Sequence, residues 1–260
     1  GSMEMSGFCY FARASIYNRI LEWKKQANGT KALLIEGARR IGKSTVVEEI
    51  GKNEYKSFIM VDFNKASTKV KDCFNDLNNL DLFFQTLMLE YNPRLYRRES
   101  LIIFDEIQKF PKAREAIKYL VADGRYDYIE TGSLISIREN VEGITLPSEE
   151  RKIKMHPVDF KEFMMYMDEG ILLEYIGDCY RRKVPLEQRF HSKAMHLFKE
   201  YLLVGGMPQA IVAFASNGRD FEAADIEKRD ILSLYRDDIK KAAKKYSSRV
   251  SSVFENIPAY

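Results

Sequence analysis

The chain has 260 residues and a formal net charge of +3, from 41 Lys and Arg against 38 Asp and Glu. Hydrophobic residues make up 45% and charged residues 30%, a globular composition that excludes intrinsic disorder as the main state. The near balance of charge gives no case for a dedicated nucleic-acid or membrane-surface binder.

In chain order, the first pattern is an amphipathic helix with Ile16, Ile20 and Trp23 on one face. Residues 31–36 (KALLIE) read as a buried strand, and residues 43–50 as the helix after it. Residues 57–63 (SFIMVDF), 100–104 (SLIIF) and 126–130 (YDYIE) read as further strands, and 152–155 (KIKM) as a weaker fifth. Helical patterns fill residues 80–91 and 113–122, the latter preceded by Pro111, which a helix start tolerates. Strands alternating with helices predict a parallel sheet covered on both faces. From residue 158 the strand signal ends. Phe160, Phe163, Met164 and Met167 recur at helical spacing, as do apolar positions in 196–204 and 221–239. The chain therefore reads as an α/β domain over residues 12–160, a helical region over 161–245 and a further segment over 246–260.

Cys9, Cys73 and Cys179 are scattered and form neither a disulfide framework nor a zinc pattern, so a reducing, cytoplasmic setting is expected. His156, His191 and His196 have no Glu at metal-ligand spacing and read as structural or surface residues. The most apolar stretch, 201–215, holds Gly205, Gly206, Pro208 and Gln209. It falls short of the ~20 apolar residues needed to span a bilayer.

The chemistry begins where the first strand ends. Gly37-Ala38-Arg39-Arg40-Ile41-Gly42-Lys43-Ser44-Thr45 matches G-x-x-x-x-G-K-[ST]. Gly37 permits a tight exit from the strand, and Gly42 lets backbone approach phosphate oxygens. Successive N–H groups then face an anion at a helix N-terminus. Lys43 is expected on the β- and γ-phosphates, Ser44 on Mg²⁺ and Thr45 on the α-phosphate. A chance match in such a chain is on the order of one in a hundred.

An acidic pair is expected at the end of a neighbouring strand, and SLIIFDEI supplies Asp105 and Glu106. Asp105 is the expected metal residue and Glu106 the general base for the attacking water. In YDYIETGS, a hydroxyl after the fourth strand could reach the γ-phosphate or that water, Thr131 being favoured over Ser133. The basic run KKAAKKYSSR (residues 240–249) offers only Tyr246 for stacking and reads as a solvated helix face.

The motifs GARRIGKST, LIIFDEIQKFPKAREAIKYL, GRYDYIETGSLISI and PSEERKIKMHPVDFKEF, followed by GGMPQA and SLYRDDIKK, resemble a family of bacterial and archaeal AAA+ ATPases that usually carry a further C-terminal domain. The resemblance runs from about residue 16 to about residue 259. It implies a P-loop NTPase sheet of strand order 5-1-4-3-2 followed by an all-helical lid. It puts Asp105 and Glu106 on the Walker B acids, and Thr131 on the polar sensor of the fourth strand. It implies ATP with Mg²⁺, and a hydrolase that switches conformation with its nucleotide, slowly without a partner. Self-association or a protein partner is expected, DNA is possible but not favoured, and no membrane is involved. Family chains usually run on past this point, so the C-terminal domain is expected to be missing. Arg138 and Arg151 are candidate arginine fingers, and Arg13 or Ile16 would border the adenine. Two other function classes stay open on the residues alone: a nucleotide-binding interaction module with little hydrolysis, and a P-loop small-molecule kinase.

Overall fold

The computed structural model describes residues 13–133, 147–243 and 246–257, which fall into two compact units divided between Pro157 and Val158.

In the first unit, α1 (Ala14–Ala27) leads to β1 (Ala32–Glu36), α2 (Lys43–Glu54) and β2 (Ser57–Asp62). Then come α3 (Thr68–Asp72), α4 (Leu80–Tyr91), β3 (Ser100–Asp105), α5 (Pro111–Asp123), β4 (Asp127–Gly132) and β5 (Glu150–Lys154). Among the described residues the strands form one sheet of order β2-β3-β4-β1-β5, with every neighbouring pair parallel. This is the expected 5-1-4-3-2 order, read from the other edge. The short α3 lies outside the expected pattern. It is nucleated by Ser67, whose side chain caps the Val70 N–H.

Strand β4 runs on past Glu130 because Thr131 and Gly132 pair with Ile35 and Glu36 of β1. The sheet is buried on both faces, so its central strands read as continuous apolar runs. One face packs Leu34, Ile102, Phe104 and Tyr128 against residues of α4 and α5 such as Phe83, Leu87, Ile117 and Leu120. Each such side chain contributes about 1.5–3 kcal/mol of burial. Helix α2 packs across β2, β3 and β4, and α1 against β1. The approach of α2 is close: a Cβ on Gly51 would meet the Phe58 ring at 2.6 Å.

The second unit is helical: α6 (Phe160–Tyr166), α7 (Gly170–Arg182), α8 (Gln188–Val204), α9 (Pro208–Ser216), α10 (Phe221–Ala243) and α11 (Ser247–Asn256). Helix α6 opens with a reciprocal cap between Asp159 and Glu162. Its Phe163 is fully buried, with Phe214 of α9 at 6.5 Å between ring centroids. The Tyr201 hydroxyl donates to the Val158 carbonyl at 2.8 Å, and the Val158 N–H to the Gly206 carbonyl at 2.8 Å. These bonds fix the entry to α6 beside the Gly205-Gly206 turn. Helix α11 buries no residue fully and is tied to α10 by Arg236, whose guanidinium meets Glu255 at 2.6 and 3.1 Å. Among the described residues, no helix is long and apolar enough to cross a membrane.

Candidate functional site

The loop between β1 and α2 sits at the C-terminal edge of the sheet, where parallel α/β folds bind ligands. Its entry is set by two neighbours: the Gly37 N–H donates to the Gly132 carbonyl at 3.3 Å, and the Met155 N–H to the Glu36 carbonyl at 2.8 Å. A Cβ on Gly37 would stand 2.5 Å from the Met155 carbonyl oxygen and 2.6 Å from Ile41 Cδ1. Gly37 is therefore required by the backbone leaving β5 and by the buried Ile41, and not only by a tight strand exit. Gly42 caps α2 at φ 93°, a left-handed conformation suited to glycine, with no side-chain cap and no acidic residue in the first turn. The first N–H groups of α2 are thus left to an anion.

Lys43 is 5% exposed. Its Nζ donates to the carbonyls of Gly37 at 2.9 Å and Ala38 at 2.6 Å, spanning the loop. Burial lowers its pKa to about 8, against the opposing pull of Glu106 and Asp105, while the Arg39 guanidinium pushes the same way as burial. Arg39 is half-buried near that ammonium, and Arg40 is exposed and adopts φ 66°. A left-handed non-glycine residue costs about 1–3 kcal/mol. Thr45 is half-buried.

Asp105 ends β3 and gathers two hydroxyls on one oxygen. Ser44 Oγ donates to Asp105 Oδ1 at 2.8 Å, and Thr131 Oγ1 donates to the same atom. Burial raises the Asp105 pKa, the two hydroxyl donors lower it, and the charges of Glu106 and Asp62 raise it. A cation beside Asp105 would relieve that burial cost. Ser44 and Asp105 are the hard oxygen donors that Mg²⁺ takes. Among the described residues, no group of three or more His, Cys, Asp and Glu could hold a metal ion. Two protein oxygens, from Ser44 and Asp105, would leave the rest of a Mg²⁺ shell to water and to a phosphate ligand.

Glu106 follows in a left-handed conformation, φ 57°. Its N–H donates to Thr131 Oγ1 at 3.2 Å, and its Oε2 accepts from Gln108 Nε2. Thr131 is 0% exposed, gives its one proton to Asp105 and accepts from Glu106. It thus links the Asp105 carboxylate to the Glu106 backbone. Ser133 is buried at the end of the same segment.

Of the more distant candidates, Arg13 is buried and donates to the His156 carbonyl, and Ile16 is buried on α1. Arg151 pairs with Leu33 in the sheet register and donates to Gln26 Oε1 at 2.9 Å. That position lies toward the start of β1, at the end of the strand away from the loop. Arg138 lies outside the described residues.

Sequence reasoning missed two groups. Asp62 ends β2 in register with Asp105, and its signal was there to find: SFIMVD repeats the apolar-run-then-Asp pattern of SLIIFD. Gln108, two residues after Glu106, holds the Glu106 carboxylate and carries no pattern of its own.

Comparison with known proteins bears on this geometry. No curated protein matches the chain. Among solved structures, C. elegans PCH-2 is 13% identical, with a TM-score of 0.39, over 86% of this chain and 67% of that one. Domain III of the Thermotoga maritima replication initiation protein DnaA is 14% identical, with a TM-score of 0.36, over 84% of this chain and 92% of that one. Both are too distant to add to the assignment. The family model of the AAA domain, however, matches residues 29–164, from before β1 through β5 into α6. That span is more than half of the chain and holds the phosphate loop and both acids, so the protein belongs to the AAA domain family and its first unit is a nucleotide-binding domain.

Proposed function

We propose that the protein is an Mg·ATP-dependent ATPase that changes conformation with the nucleotide it holds. The observation that carries this reading is the convergence of the Ser44 and Thr131 hydroxyls on one oxygen of Asp105, beside the buried Lys43 ammonium.

In this reading the N–H groups of residues 37–45 and the α2 N-terminus bind the phosphates, and Lys43 moves from the loop carbonyls to the β- and γ-phosphates. Arg39 and Arg40 add positive charge at the same anion. Mg²⁺ held by Ser44 and Asp105 would offset charge on the phosphate oxygens. Glu106, oriented by Gln108, takes the proton of the attacking water as general base. Thr131 acts through Asp105 and Glu106, keeping the metal carboxylate and the base at fixed separation. The helical second unit serves as the lid that reports the nucleotide state, and a partner or a second copy speeds turnover.

The test is phosphate release by wild type and Glu106→Gln, with ATP affinity measured on both. Turnover falling at least about a hundredfold with ATP affinity retained is the expected result. Equal phosphate release by the two proteins would remove Glu106 as base. Unchanged ATP affinity in Lys43→Ala would remove the phosphate site itself.

A further inference from the structure

The function proposed above leaves unused the turn joining α7 to α8. Residues 180–199 (YRRKVPLEQRFHSKAMHLFK) contain six cations, Arg181, Arg182, Lys183, Arg189, Lys193 and Lys199, against one carboxylate, Glu187. This stretch nets +5 where the whole chain nets +3, so the remaining residues sum to −2. All six cations are exposed. Arg181 and Arg182 share one carboxylate, Asp178, at 3.4 and 3.6 Å, and both are about 70% exposed. Such long, exposed pairs neutralise little.

Helix stability and ion pairing account for part of this charge. Arg181 and Arg182 sit in the last turn of α7, where cations oppose the helix dipole favourably. Arg189, however, sits in the first turn of α8, which has no acidic residue, and Lys193 follows one turn later. There Arg189 is held by the N-cap Glu187 at 3.2 and 3.3 Å and Lys193 by Glu169 at 2.7 Å, which leaves Arg181, Arg182 and Lys183 as the less neutralised run.

The turn is held as a fixed platform. The Val184 N–H returns to the Cys179 carbonyl at 3.0 Å, and the Glu187 N–H donates to the Tyr175 hydroxyl at 3.3 Å. The Tyr175 and Phe190 rings meet edge to face at 5.1 Å. Tyr180, 85% exposed, immediately precedes the three consecutive cations in sequence, in the last turn of α7. A free aromatic face next to a cationic track is what single-stranded nucleic acid requires: phosphates pair with the cations and a base stacks on the ring.

We propose that the α7–α8 turn binds single-stranded nucleic acid, with Arg181, Arg182 and Lys183 on phosphates and Tyr180 stacked on a base. This site does not depend on the ATPase reading and holds without nucleotide.

The test uses the full 260-residue chain with fluorescently labelled single-stranded DNA and RNA oligonucleotides of about 20 nucleotides, read by anisotropy from low to moderate salt. Wild type is expected to bind, with affinity falling linearly in log salt. The Arg181→Glu, Arg182→Glu, Lys183→Glu triple variant is expected to bind at least about tenfold more weakly, with a salt slope shallower by about 2. Tyr180→Ala is expected to lose about tenfold on single strands and little on duplex. Far-ultraviolet circular dichroism and the urea unfolding midpoint are expected unchanged in both variants, which reports that they fold. The proposal is overturned by no binding of wild type at low salt, or by a duplex preference that survives Tyr180→Ala. It is also overturned if binding is lost on reversing Lys240 and Lys241 but kept in the triple variant, or if the turn binds anionic vesicles in place of oligonucleotides.

Discussion

Glu130 sits one residue before Thr131 and is 0% exposed. It lies in sheet register with Leu34 and Phe104, under α5. Near it, Arg114 of α5 clamps Glu150 with two bonds, Nε to Oε2 at 3.0 Å and Nη2 to Oε1 at 2.7 Å. As ionised groups, Glu130 and Glu150 have no proton to share, and both Glu130 oxygens are then buried without a partner. A proton on Glu130 removes the charge and supplies a hydrogen bond to Glu150. Burial, and then the Glu150 charge, accordingly hold the Glu130 pKa well above its ordinary value of 4.5, against the pull of Arg114 and Lys152. The folded protein therefore keeps a proton that the unfolded chain releases above pH 4.5. Stability due to this group is whole below that pH and is lost as pH rises toward the folded-state pKa, at about 1.4 kcal/mol per pH unit. Glu130→Gln keeps the shape and a donor without the charge. Urea unfolding of both proteins as pH rises above 5 should show the variant gaining on wild type, by up to about 1.4 kcal/mol per unit until the folded-state pKa is reached. Other titrating groups are common to both proteins and cancel in the difference. Two curves that run parallel above pH 5 would refute the buried proton.

Other outcomes can be measured on the same protein. Free Lys43, lowered to about 8, is charged below that pH and neutral above it. ATP affinity by calorimetry should be flat below pH 8 and fall by up to about tenfold per unit above it, and a flat profile to pH 9.5 would show that the ammonium is not a ligand. Thr131→Ala should lower kcat about tenfold with little change in KM, and Thr131→Ser should restore it, because the hydroxyl positions Asp105 and Glu106. Loss in both variants would point to packing of the methyl group. Gly37→Ala should unfold at clearly lower urea than Gly218→Ala, since the added Cβ meets the Met155 carbonyl at 2.5 Å in one and open space in the other. For Gly218 only the left-handed backbone, φ 69°, is strained, worth about 1 kcal/mol.

Much of this protein could be read locally. The five strands are apolar runs between turn residues, and the phosphate loop and Asp105-Glu106 are contiguous motifs whose geometry follows from a strand, a glycine and a helix start. The misses have a common form. Asp62 matters because β2 lies beside β3 in a register that puts it level with Asp105. Gln108 matters because the left-handed turn at Glu106 folds its amide back onto the Glu106 carboxylate. The residue pattern marks Asp62 as a strand-end acid, but neither its register with Asp105 nor the Gln108 contact can be read from residue type or spacing. Thr131 was legible as a polar end to β4, but its hydroxyl lies on Asp105, a contact across two strands. Arg151 looked well placed after the fourth strand, yet its register beside Leu33 sets it toward the start of β1.

By itself, then, the amino-acid order determined what neighbours along the chain can settle: which segments are strands, where the phosphate loop opens and which acids end β3. Those features arise within a few residues, from hydrophobic period, glycine conformation and the start of a helix. Only the tertiary structure decided what depends on segments brought together: Ser44 and Thr131 meeting on Asp105, Met155 making Gly37 necessary, and burial beside Glu150 leaving Glu130 with a proton. In each case sheet order and register set distances between residues far apart in sequence, and hydrogen bonding and burial energies depend on those distances alone.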